Sequence, residues 1–124
     1  MSLDVTFESG GQPYPDGEEW RPLTAYEASI LGAILYVLGG DAPIISPMVR
    51  TMDDCGCIEL QPEDNLPGEP VVVAEASIPE SHPLHPLDIT LTGQGVRALW
   101  LEFHHYGFDR SRRPDPTDLL VVRR

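Results

Sequence analysis

Apolar residues recur with two different periods along this 124-residue chain. Leu3, Val5 and Phe7 alternate with Asp4, Thr6 and Glu8, the period of two that marks a short strand. Gly10, Gly11, Pro13, Pro15 and Gly17 then read as a loop. From Ala25 the period lengthens. Ile30, Ile34, Val37 and Leu38 fall on one face of a helix, and Leu31 and Leu35 widen that face. Thr24-Ala25-Tyr26-Glu27 has the form of a capping box: the threonine hydroxyl accepts one free helical N–H, and the glutamate reaches back to another. Gly39-Gly40 supplies the stop. The spacing predicts a helix over 25–38, buried on much of its circumference against a sheet.

Past the helix the strand period returns. Met48 to Met52 reads as a short strand, Asp53-Asp54-Cys55-Gly56 as a turn, and Cys57 to Gln61 as a strand with Ile58 and Leu60 on one face. Pro62 to Pro70 is an acidic loop, Val71 to Ile78 a β-branched strand, and Pro79 to Pro86 a second proline-rich loop. Leu87, Ile89 and Leu91 alternate with Asp88, Thr90 and Thr92, and Gly93-Gln94-Gly95 has the length and glycines of a tight hairpin loop. The return strand, Val96 to His104, is apolar on both faces and belongs in the middle of a sheet. His105 to Pro116 reads as a basic loop and Leu119 to Val122 as a last edge strand. One helix among many strands predicts an α+β fold: an N-terminal helix packed on a twisted, mainly antiparallel sheet of about five strands. The expectation is one domain over 1–124, with 1–20 an N-terminal strand and loop and 105–124 a basic C-terminal segment.

Charge changes this picture. Residues 1–90 carry 16 Asp and Glu against only Arg21 and Arg50, residues 91–124 carry six Arg against four acids, and there is no lysine. The formal net charge of −12 opposes binding to nucleic acid or an anionic membrane, and attracts a basic partner. The longest apolar run, Ile30 to Leu38, is too short for a membrane span, and the N-terminal residues lack the basic and apolar regions of a signal peptide. The expectation is a cytoplasmic protein with Cys55 and Cys57 as reduced thiols.

Candidate chemistry is sparse. Cys55 and Cys57 could join His82, His85, His104 or His105 around zinc, but C-x-C is not the C-x₂₋₄-C knuckle that converges two sulfurs, so no metal or other cofactor is expected. A Cys55 nucleophile is disfavoured by Asp53 and Asp54, whose charges raise a thiol pKa. The carboxylates are many, but nothing selects a catalytic pair. The Arg-rich stretch from His104 to Arg113 includes aromatics, yet under this net charge it suits the protein's own acidic surface, or that of a second copy, better than nucleic acid.

At Asp53-Asp54-Cys55-Gly56-Cys57-Ile58-Glu59-Leu60 and Gly95-Val96-Arg97-Ala98-Leu99-Trp100-Leu101-Glu102 the chain resembles small acidic actinobacterial proteins of unknown function. Those share a helix, an Asp-Gly-Cys turn into a strand, and a late hairpin ending in Leu-x-x-Leu-Glu. This chain departs from them in its Cys-Gly-Cys and in the proline-rich 79–86 loop. The resemblance implies no reaction, so no catalytic residue is carried over from it.

The leading expectation is a non-catalytic interaction module, inhibitor- or immunity-like, presenting Asp53, Asp54, Glu59, Glu63, Asp64 and Glu69, together with the 75–80 region, to a basic protein. The alternative is a small-molecule binder or enzyme with a pocket between helix and sheet lined by Tyr26, Tyr36, Trp100 and His104. A homodimer, with the Arg-rich C-terminal segment docked on a partner's acids, is a third arrangement.

Overall fold

Pairing of strands far apart in sequence organises this chain. In a computed structural model, which describes residues 19–52, 56–63, 65–105 and 113–124, the elements are β1 (Arg21–Pro22), α1 (Ala25–Leu38), β2 (Met48–Thr51), β3 (Ile58–Leu60), β4 (Val71–Ser77), β5 (Leu87–Gln94), β6 (Arg97–His105) and β7 (Leu120–Arg123). All the strands join one antiparallel sheet in the order β1-β2-β3-β6-β5-β4-β7. The α+β class stands, with seven strands where the sequence suggested about five. One addition, β1, is two residues long and leaves no periodic trace. The expected strand over Leu3 to Glu8 lies outside the described residues, as do residues 53–55 and 106–112.

β6 is the middle strand, as its two apolar faces required. The hairpin that joins it to β5 is tighter than expected: Gly93 and Gln94 belong to β5, and the loop is Gly95–Val96 alone. Gly95 has φ 60°, a backbone state that glycine adopts without a Cβ penalty and that a type II′ loop needs at its first position. Thr92 faces Trp100 while Gly93 faces Ala98, so Leu99 is the extra residue of a bulge. A Cβ at Gly93 would lie 3.1 Å from the Arg97 carbonyl oxygen, which explains glycine there.

Side chains alternate across a sheet, so register divides the residues between two faces. On the inner face Ile58, Leu101, Leu91 and Ala74 lie in one cross-strand row, and Phe103, Ile89 and Ala76 in the next. Tyr26, Ile30, Leu31, Ile34 and Leu38 of α1 close over them to make the core. The helix is more one-sided than its apolar sequence suggested: Val37 is exposed and Tyr36 is 88% exposed.

Both ends of α1 are held by arginines from the edge strands. At the N-terminus the Thr24–Glu27 capping box forms as expected. Glu27 is buried and also takes a bidentate pair from Arg21 of β1 at 2.9 and 2.8 Å, while Arg21 donates onward to Thr51 Oγ1 of β2. The last turn carries no basic residue of its own. Arg123 of β7 supplies one, donating to the Val37 and Leu38 carbonyl oxygens and pairing with Asp41. A cation there satisfies helical carbonyls and opposes the negative end of the helix dipole. No described helix is long and apolar enough to cross a membrane.

Candidate functional site

The other face of the sheet has no helix over it among the described residues. Its first row runs Arg50, Glu59, Trp100, Thr92, Val72; its second, Glu102, Thr90, Glu75, Val122; its third, His104, Asp88, Ser77, Leu120. Most of these residues are one step along their strand from a core residue, so burying the apolar set turns this set to the other face, where all but the buried Thr92 are partly or fully exposed. Trp100 is half-buried in the middle of its row. Leu120 and Val122 are 53% and 60% exposed at the β7 edge. A shallow groove of about 310 Å³ runs along this edge, lined by Glu75, Ser77, Asp88, Leu120, Val122 and Arg124.

The arginines are turned back onto the chain. Arg50 pairs with Glu59 at 2.9 Å and lies 4.5 Å over the Trp20 ring, Arg97 pairs with Glu63 at 2.5 Å, and Arg124 pairs with Glu75. With Arg21 and Arg123 that engages five of the six described arginines in ion pairs, and Arg113 lies over the Tyr26 ring. Glu69, Glu80 and Glu102 make no ion pair among the described residues, so the surface keeps anionic points that the chain does not neutralise.

The acids nominated from the sequence divide accordingly. Glu59 is on the open face but paired, Glu63 is paired on the 62–70 loop, and Glu69 is exposed on that same loop. Gln94 donates to the Leu66 and Gly68 carbonyls and so ties the loop to the hairpin end. Asp53, Asp54 and Asp64 lie outside the described residues. Glu75 falls in the nominated 75–80 region, while Asp88 and Glu102 were not among the nominated acids. Their signal was the polar phase of two strands, which only the register brings together.

The four residues of the helix–sheet pocket are not brought together. Tyr26 is fully buried and its hydroxyl donates to the Pro114 carbonyl at 2.7 Å. Tyr36 points into solvent from the helix. Trp100 and His104 are on the opposite side of the sheet from the helix, and His104 Nε2 is 3.1 Å from Thr90 Oγ1. The metal candidates are also dispersed. Cys57 is buried, and its Sγ accepts the Phe103 N–H at 3.1 Å. His82 has both ring nitrogens engaged, Nε2 with Asp118 at 3.1 Å and Nδ1 as acceptor of the Leu84 N–H. His85 is half-buried beyond it, and Cys55 lies outside the described residues. Among the described residues no group of three or more His, Cys, Asp or Glu is placed to hold a metal ion.

Comparison of the chain with family models, curated proteins and solved structures finds no match.

Proposed function

We propose that this chain is a non-catalytic interaction module, of the inhibitor or immunity type, that docks a basic protein on the open face of its sheet. One observation carries the reading: Glu102 and Asp88 share the face turned from the helix with a half-buried Trp100 and with Glu59 and Glu75, which Arg50 and Arg124 hold, and most described arginines are already engaged within the chain. Interfaces of this kind combine an aromatic anchor with complementary charge, the aromatic giving affinity and the charge giving orientation and on-rate. The net charge of −12 attracts a cationic protein and repels nucleic acid.

The test is capture of a partner from host lysate, identification of that partner, and measurement of its affinity for the native chain and for Glu75→Gln/Asp88→Asn/Glu102→Gln. A basic protein that binds less tightly as salt rises, and at least about tenfold less tightly to the triple variant, supports the reading. A partner indifferent to both changes, or the absence of any basic partner, overturns it.

A further inference from the structure

The two edges of the sheet are built differently. β1 is two residues long, ends in Pro22, which has no N–H, and is followed by Leu23, whose N–H is bonded to the Pro47 carbonyl at 3.2 Å. It is a blunted edge of the kind that prevents sheet-to-sheet pairing. β7 has four residues, no proline, and the uncharged run Leu120-Val121-Val122. Its cations do not guard it, because Arg123 reaches to the helix and Arg124 to Glu75.

We infer that β7 is a pairing edge for a second copy of this chain. The hydrogen-bond phase comes first. Arg124 N–H bonds the Val73 carbonyl at 2.9 Å, and antiparallel ladders alternate, so Leu120 and Val122 bond toward β4. The N–H and C=O of Val121 and Arg123 therefore point away from the sheet, and β4 is its only neighbour among the described strands.

A two-fold axis perpendicular to the sheet at Val121 satisfies that phase. Val121 of one copy exchanges reciprocal hydrogen bonds with Val121 of the other, and each Arg123 N–H meets the opposite Leu119 carbonyl. In the same register Leu120 stands opposite Val122 on the open face, so the two most exposed apolar side chains of the strand cover each other across the axis. One step beyond, Asp118, held by His82, falls opposite Arg124, held by Glu75, so no like charges are set against each other there. The acids stay apart: the two Glu75 residues are separated by three strand spacings, about 14 Å, beyond the physiological screening length of about 8 Å. Pairing one residue further along keeps the hydrogen-bond phase but sets Arg124 opposite Leu120 and leaves Asp118 without a counterpart. The axis also places both acidic faces on one side of a continuous sheet, so the dimer presents twice the surface a monomer does.

Sedimentation equilibrium of the full chain is the test, with Val121→Pro and, separately, Leu120→Lys/Val122→Lys. The proline removes an N–H at the axis that no neighbouring described strand uses, and the lysines set like charges across it at exposed positions. A reversible dimer is expected, weakened at least about tenfold by each variant, with unchanged circular dichroism for the lysine variant. The Val121 and Arg123 amides of the native chain should exchange more slowly as concentration rises. A monomer up to about 1 mM, or a dimer that the lysine variant leaves intact, overturns the inference.

Discussion

Ile58, Leu101 and Leu91 lie in one row across the sheet; one residue along each strand, Glu59, Trp100 and Thr92 lie in the neighbouring row on the other side. The first row is sealed under α1; in the second Glu59 and Trp100 are partly exposed, while Thr92 beside them is buried. The two are made by the same strands and hydrogen bonds, so the backbone cannot explain their difference. What separates them is the phase of the apolar residues, and a one-residue slip in register would exchange them. Stability is thus concentrated on the inner face, and the outer face is free to be selected for recognition.

The comparison breaks most sharply if the inner face is emptied. Leu101 is fully buried between Ile58 and Leu91, so Leu101→Ala should lower unfolding free energy by about 3 to 4 kcal/mol in urea titration. Next comes the N-terminal clasp. Arg21→Ala leaves the Glu27 carboxylate buried without its cation and should cost about 3 kcal/mol, and adding Glu27→Gln to it should recover part of the loss. Arg123→Ala acts at the other end of the helix. It should cost about 1 kcal/mol, with faster hydrogen exchange confined to the last turn of α1. Glu102→Gln, on the outer face, should change stability by less than about 0.5 kcal/mol while weakening capture of a basic partner. A large stability loss in Glu102→Gln would mean that the outer face is structural after all.

Local features of this fold were legible in the sequence, and long-range ones were not. Thr24 and Glu27 announce the helix start because a capping box is contained in four residues. The hairpin could be read from alternation and glycine, although only the strand register reveals that Gly93 and Gln94 pair and that Leu99 bulges. Placing β3 beside β6 joins Glu59 to Trp100, a partnership that no periodicity encodes. Trp100 shows the limit well. Alternation put it opposite Leu101, but nothing in β6 itself says which side the helix covers, because both faces are apolar. The ion pairs Arg97–Glu63, Arg124–Glu75 and Arg123–Asp41 span dozens of residues, so the acids that the chain neutralises could not be told from those it leaves open.

The two arginine clasps impose an order of events on a chain emerging from the ribosome. Arg21 is six residues from Glu27, so the first turn of the helix can be secured as soon as both have been synthesised. The carbonyl of Leu38 waits for Arg123, 85 residues later. Until then the last turn has only Gly39 and water to hold it, and it frays. Commitment to the folded state therefore waits for β7, a single strand that joins the sheet and stops the fraying in one docking event.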